Sequence, residues 1–177
     1  METKRLLFRP FLLSDAEDVY EYASDPTAVQ YLTWPAHTCI QQTRTVLEKF
    51  YLPNPDCFAL VCKENGRCIG SLSLNRLNDT EVSFGLVINP KFWNMGLGTE
   101  ALKAIIHRMF SSQHSVSVFR GEHFIGNDAS GNVMLKSGMR YHGEECFGTD
   151  GRIVKVYKIT RAEWNASRDP HSVLYSE

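Results

Sequence analysis

Apolar residues along this chain fall into short blocks whose period switches between two and about 3.6. Leu6-Leu7-Phe8, framed by Arg5 and Arg9 and closed by Pro10, reads as a first strand. Ser14-Asp15 opens a helix with Glu17 in its first turn. That helix is expected to run to about Ser24 and stop before Asp25-Pro26, because a residue preceding proline disfavours the α conformation. Residues 26–39, with Pro26, Trp34 and Pro35, read as a loop. A second helix is expected from Gln41 to Phe50, with Val46, Leu47 and Phe50 on its buried stripe.

The pattern then turns to β. Phe58–Cys62 is an apolar run, and Arg67–Leu74 returns as its partner after Asn65-Gly66, where both turn residues are expected at positive φ. Val82–Ile88 is a further strand ended by Asn89-Pro90, and Val116 with Val118 marks a short one. A last hairpin joins Tyr141–Phe147 to Ile153–Ile159 through Asp150-Gly151. Two helices separate these groups. One starts near Gly98 and buries Leu97, Ala101, Leu102, Ile105, Ile106 and Met109, while Glu100, Lys103 and Arg108 point away. The other runs from Asp128 to Ser137, capped by Asn127 and Gly138. The order β-α-α-β-β-β-α-β-α-β-β implies an α/β (α+β) layer fold with a largely antiparallel sheet.

Composition narrows the class. The 177 residues suit one domain. Nineteen basic residues balance 20 acidic ones, for a net charge of −1. This lacks the basic excess of a nucleic-acid binder and the acidic excess of a disordered chain. No apolar run is long enough to span a membrane, and the first residues lack the apolar core of a signal peptide. The five cysteines, Cys39, Cys57, Cys62, Cys68 and Cys146, are odd in number and lack C-x-x-C spacing. They read as reduced packing residues of a cytoplasmic protein, with no metal site expected.

The segment richest in chemistry is Phe92-Trp93-Asn94-Met95-Gly96-Leu97-Gly98-Thr99-Glu100-Ala101, between a strand and a helix. Glycines at a helix start let backbone N–H groups converge on an anion. A P-loop is excluded, since no Gly-Lys-Ser/Thr ends the segment. Gly96–Ala101 does fit the dinucleotide pattern G-x-G-x-x-A. That pattern, however, should turn tightly out of a strand, and here Asn89–Trp93 intervene. A plain glycine-rich helix cap is the third reading.

With its neighbours, the run Asn89–Leu102 resembles the acyl-CoA pyrophosphate loop of the GNAT superfamily of N-acetyltransferases. Gly126–Met139 resembles a second element of that superfamily, of the form N-x-x-S-x-x-V-x-x-K-x-G. Arg5–Phe11 with Asp15-Ala16-Glu17, and Trp34–Thr38, are similar to its ribosomal-protein N-terminal (Rim-type) branch. The resemblance covers about residues 3–164. It implies a single acetyltransferase domain over 1–164, a tail over 165–177, and a mixed, mostly antiparallel twisted sheet flanked by helices.

The resemblance also implies roles. Leu86, Val87 and Ile88 would pair with the pantetheine arm of acetyl-CoA. The amides of Trp93, Asn94, Met95, Gly96, Leu97, Gly98 and Thr99 would hold the pyrophosphate. Asn127 would reach the pantetheine while capping its helix. Acetyl transfer would be a direct attack by an amine, with no metal and no enzyme thiol. The family's usual tyrosine acid is replaced by Met134, and its strand glutamate by Ser83. Ser130, one turn before Met134, matches the serine of the ribosomal branch and is the candidate proton donor. Glu81 and His123 are the candidate bases, with His142 a further histidine to weigh. Tyr31, Trp34 and His37 are candidates for the acceptor wall, while Arg152 and Lys155 read as solvated charges.

These features lead to an acetyl-CoA-dependent N-acetyltransferase whose acceptor is a protein N-terminal α-amine. A small-molecule amine acetyltransferase is the alternative, and a non-catalytic CoA-binding sensor the rival from another class. Neither nucleic acid nor membrane is expected as a partner, and a homodimer is compatible with this reading.

Overall fold

The computed structural model describes residues 1–149 and 151–167. Its strands are β1 (Leu6–Arg9), β2 (Cys57–Cys62), β3 (Cys68–Arg76), β4 (Glu81–Ile88), β5 (Val118–Phe124), β6 (Arg140–Phe147) and β7 (Arg152–Thr160). Its helices are α1 (Ala16–Ala23), α2 (Pro26–Val29), α3 (Ile40–Val46), α4 (Leu97–Ser112), α5 (Asp128–Lys136) and α6 (Arg161–Ser167). The strands follow one another in the order β1-β2-β3-β4-β5-β7-β6. Only β4–β5 is parallel among the β1–β2, β2–β3, β4–β5, β5–β7 and β6–β7 pairs. This is the mixed, mostly antiparallel α/β arrangement expected from the pattern. The chain divides into two compact units.

The first unit holds Met1–Leu74 and Gly85–Gly98. Its β1 is tied to α1 through Asp15, which is 5% exposed and takes both guanidinium nitrogens of Arg9 at 2.7 Å. The same carboxylate accepts the Leu12 amide at 2.8 Å. A buried carboxylate is tolerable when its lone pairs are filled in this way. From there α1 buries Ala16, Val19, Tyr22 and Ala23 against Ala59 and Val61 of β2 and Cys68 of β3.

Four local expectations are corrected, all in this unit save at Cys146. The stretch 26–39 is not all loop, because Asp25 accepts the Thr27 amide and Pro26 sits at the first helical position, which starts α2. The second helix widens after Val46 into a π-turn over Leu47–Tyr51, with the Leu52 amide bonded back to the Leu47 carbonyl. The extra residue in that turn rotates Phe50 out to 64% exposure, and Tyr51 stacks on Phe11 instead at 4.6 Å. At the β2–β3 hairpin only Gly66 has positive φ. Asn65 instead accepts the Arg67 amide with its side chain. Two cysteines, Cys39 and Cys146, are exposed rather than packed. Cys68 is buried, which pushes its thiol up to about 12.

Gly70 governs how closely β3 meets β4. A Cβ there would lie 2.2 Å from the Val87 carbonyl oxygen, so any side chain would force the strands apart. The Asn89 amide donates to the Ile69 carbonyl at 2.8 Å. By strand alternation Val87 and Asn89 then direct their backbone groups at β3, and Leu86 and Ile88 direct theirs away.

The second unit holds Asn75–Phe84 and the described residues from Thr99 onward. Here β5 is longer than expected, so Glu122 and His123 lie within it rather than after it. Full pairing with β7, from Val118↔Thr160 to Phe124↔Val154, explains the extension. On the α5 helix, Asn127 accepts the Ser130 amide at 3.3 Å and Gly138 has φ of 90°, as the capping pattern predicts. Of the last hairpin turn, Asp150 lies outside the described residues, and Gly151 has φ of 75°. The chain past Trp164 continues in α6 to Ser167; residues 168–177 of the expected tail lie outside the described residues.

Arg161 locks the end of α4. Its guanidinium donates to the carbonyls of Phe110, Gln113 (2.6 Å) and Val116 (2.6 and 3.0 Å), and stacks over the Phe110 ring at 5.2 Å. The Phe110 carbonyl lies in the last turn of α4, where a helix leaves its carbonyls without partners and at the negative end of its dipole, and those of Gln113 and Val116 belong to the chain just past it. Arg161→Ala is therefore expected to lower the unfolding free energy by about 2–3 kcal/mol, the size of a charge-assisted hydrogen bond. Arg161→Lys should recover part of that loss. Urea unfolding followed by tryptophan fluorescence and circular dichroism measures both, and a loss below about 0.5 kcal/mol would show the contact to be idle.

Candidate active site

The loop leaving β4 is built from polar contacts. Asn89 is 3% exposed, and its side chain accepts the Lys91 amide at 3.0 Å, which sets a 3-10 turn over Pro90–Phe92. The Trp93 indole N–H folds back onto the Ile88 carbonyl at 2.6 Å. Lys91 forms an ion pair with Glu21 of α1, and Glu21 also meets Arg67. These cations, Lys91 first, hold the Glu21 carboxyl below the usual carboxylate range. Next, Asn94 and Gly96 adopt φ of 60° and 76° on either side of Met95, and α4 begins at Leu97. Residues of alternating backbone hand bring successive N–H groups to one side, forming a nest for an anion at the helix start. Arg5 reaches the loop from the other end of the sequence and donates to the Met95 carbonyl at 2.7 Å.

The strand that feeds this loop is unlike its neighbours. From Ser83 to Ile88 every residue of β4 is half-exposed, whereas β2 and most of β3 are buried. Leu86 presents its backbone groups away from β3, and so does the Ile88 amide; the Ile88 carbonyl is already held by Trp93.

In the same unit, Trp34 and His37 come together with ring centroids 5.3 Å apart. His37 is 8% exposed, its Nδ1 lies 2.8 Å from the Thr43 hydroxyl, and its amide donates to the Ala23 carbonyl. Trp34 packs on the α1 core, and Tyr31 is half-buried nearby in sequence. Burial holds His37 below the usual histidine value.

In the second unit, His123 and Tyr157 form a buried pair, 5% and 7% exposed, with rings stacked at 5.5 Å. His123 Nδ1 lies 2.9 Å from the Phe124 carbonyl, which can only accept, so Nδ1 carries the proton. In the neutral ring Nε2 is then the acceptor, and it faces the Tyr157 hydroxyl at 3.4 Å. Gly131 of α5 covers both: a Cβ there would lie 2.8 Å from Nε2 and from the phenol oxygen. The first turn of α5, with half-buried Asn127 and Ser130, thus rests on this pair. Thr99 is half-buried in the first turn of α4.

Glu81 is elsewhere. It pairs with Lys158 at 2.9 Å and opposes Val118, five residues before His123 on β5, hence ~16 Å along the strand. The structure does not bring the two candidate bases together. His142 sits exposed on β6. Arg152 is not simply solvated: its guanidinium lies 4.2 Å over the Phe124 ring and 5.4 Å from that of Phe147. Lys155 lies 3.9 Å from Asp128. The sequence points to no site role for Tyr157 or Arg5. The first looks like one more large residue in an apolar strand, and the second like the flank of β1.

Comparison with known proteins bears on the family and the fold. A family model described as an acetyltransferase (GNAT) domain matches residues 5–140. The chain belongs to the GNAT acetyltransferase family. It is 29% identical over 171 residues to the uncharacterized N-acetyltransferase YnaD of Bacillus subtilis, covering 92% of this chain and 98% of that one. A GNAT-family acetyltransferase from Bacillus anthracis shares the fold at a TM-score of 0.82 with 26% identity, over 92% and 98% of the two chains. More distant neighbours in fold are RimL, a ribosomal L7/L12 α-N-protein acetyltransferase solved with coenzyme A, and AAC(6')-Ib, solved with ribostamycin and coenzyme A. RimL has a TM-score of 0.74 at 19% identity, over 89% and 95% of the chains. AAC(6')-Ib has 0.75 at 15%, over 94% and 99%.

The buried His37 makes stability depend on pH with a definite sign. Its folded value lies below the unfolded 6.5, so its contribution is complete above 6.5 and is lost as pH falls through the folded value. In that window the unfolded chain binds the proton first. Depressed carboxylates such as Glu21 act only below about 4.5, which separates the two effects. Urea unfolding should show stability falling between about pH 6.5 and 5 more steeply in the wild type than in His37→Asn. Equal slopes would contradict the assignment.

Proposed function

We propose that this protein transfers the acetyl group of acetyl-CoA to a protein N-terminal α-amine by direct attack. The observation that carries the reading is the nest at Asn94 and Gly96, opening on the first turn of α4 after a half-exposed β4. Its donors are main-chain N–H groups from Asn94 to Thr99, suited to a pyrophosphate, whereas the Trp93 amide expected among them is taken by the Pro90 carbonyl at 3.1 Å. The Leu86 backbone and the Ile88 amide offer a strand edge to the pantetheine amides. In the second unit, the Asn127 oxygen caps α5 and leaves its side-chain NH2 to donate.

The acceptor assignment rests on proton chemistry. An amine must be neutral to attack. An α-amine with a pKa of roughly 7.7–8.0 needs about 1 kcal/mol at pH 7, and a lysine at about 10.4 needs roughly 4–5 kcal/mol. Glu81 is engaged by Lys158, and Met134, 1% exposed, cannot donate a proton. A site without a strong base favours the acceptor that needs least help. In this scheme the amine nitrogen forms the new C–N bond as the C–S bond breaks. Ser130 gives its hydroxyl proton to the departing thiolate and is reprotonated from solvent, while His123 Nε2 takes the amine proton by way of the Tyr157 hydroxyl and returns it to solvent. RimL, a neighbour in fold, acts on a protein N-terminus by its description, whereas AAC(6')-Ib was solved with an aminoglycoside, the alternative acceptor class.

Release of free thiol from acetyl-CoA in the presence of different amines tests the reading. Peptides with a free α-amine should be acetylated, and N-terminally blocked lysine peptides should not. Ser130→Ala should lower kcat by about 10²-fold, the lower end of the range for a lost general acid. Turnover of aminoglycosides alone would transfer the assignment to small amines. Tight CoA binding without thiol release would make the protein a sensor.

A further inference from the structure

We infer that Arg5 is a positioning residue of the pyrophosphate loop, holding the peptide between Met95 and Gly96 so that its N–H faces the anion. The inference rests on the proposed function and adds to it a residue outside both recognised motifs. A trans peptide is planar, with its C=O and N–H pointing in opposite directions. Arg5 Nη1 holds the Met95 carbonyl oxygen at 2.7 Å, ninety residues away in sequence. Fixing that oxygen on the Arg5 side fixes the Gly96 N–H on the other.

The constraint matters because this peptide is easily reversed. It joins Met95 to a glycine at φ of 76°, and Asn94 before it is also at positive φ. Glycine has no Cβ to oppose rotation of the flanking peptide. A flipped plane would put an oxygen where the nest needs a donor, and a carbonyl facing a pyrophosphate repels it. Arg5 removes that state by a charge-assisted hydrogen bond. Its guanidinium is also close enough to bias the local potential: a Cβ on Gly96 would lie 3.6 Å from Nη2. The planar fork lets one nitrogen hold the carbonyl while the other lies beside Gly96, which a single ammonium cannot reproduce.

Kinetics with two acyl donors, with calorimetric titration of CoA, tests this. Acetyl-CoA carries the pyrophosphate, and S-acetylpantetheine lacks it. Arg5→Met should raise the CoA Kd and the acetyl-CoA KM by about tenfold or more, as loss of a hydrogen bond from a charged donor implies. The kcat at saturating acetyl-CoA should change by less than about twofold. The penalty should be absent with S-acetylpantetheine, and Arg5→Lys should restore part of the affinity. Arg5→Gln, which keeps a donor and a polar end, serves where Arg5→Met does not fold. Equal loss with both donors would reduce Arg5 to a general structural role and overturn the inference. Unchanged CoA affinity in a folded variant would overturn it as well. Wild-type protein that binds no CoA would instead overturn the acetyltransferase reading beneath it.

Discussion

The loop that leaves β4 meets one requirement: its chain must point several N–H groups outward while its own carbonyls find partners. A strand meets such a need with a neighbour, and a helix with its next turn. In this exit the 3-10 turn pairs only the Asn89 and Pro90 carbonyls, with the Phe92 and Trp93 amides. Side chains supply further bonds: Asn89 takes the Lys91 amide, Trp93 holds the Ile88 carbonyl, and Arg5 holds that of Met95. The cost lies at Asn94, a non-glycine residue at φ of 60°. Asparagine bears the left-handed conformation better than most residues, yet such positions persist only where their surroundings over-determine them. Three side-chain bonds between Ile88 and Met95 provide that.

The second unit solves a packing problem with glycine. Gly121 on β5 leaves room for the Phe84 ring and the Met134 sulfur, which a Cβ would meet at 2.6 and 2.7 Å. Gly131 does the same over His123 and Tyr157. With both positions bare, α5 settles close to β5 and β7, and its capped first turn is set by the sheet beneath it. Gly131 sits in a helix interior, where glycine is unfavourable by about 1 kcal/mol relative to alanine. Its presence there is explained by the imidazole and phenol it covers, so the buried pair and the helix above it form one packed group.

Much of the architecture was legible because it is written in local chemistry. Asn127 and Gly138 bracket α5, Asn89-Pro90 ends β4, and the 3.6-residue stripe of α4 buries Leu97, Ala101, Leu102, Ile105, Ile106 and Met109. What escaped depends on partners distant in sequence or on small changes of helical pitch. A π-turn adds one residue and so turned Phe50 outward without altering composition. In α2, the Asp25-Pro26 pair that ends one helix also starts the next. Two motifs made the loop and α5 recognisable, but the residues that hold them, Arg5 and Tyr157, lie 90 and more than 25 positions away from what they brace. No periodicity carries such information.

The charge balance follows from the same design. A cosubstrate rich in phosphate would ordinarily call for a cluster of lysines, and this chain has 19 basic residues against 20 acidic. Backbone N–H groups at the start of α4 bear partial positive charge without adding to that count. They work only when oriented, and orientation requires few charges. One guanidinium acting on a neighbouring carbonyl fixes the direction of a peptide dipole, whereas an ammonium placed directly on the anion would contribute only its own attraction. Lys91, the cation within the loop, is spent on Glu21 and so ties the loop to α1. On the proposed reading, a near-neutral chain holds a multiply charged ligand because its formal charges are used to arrange the neutral groups that face it.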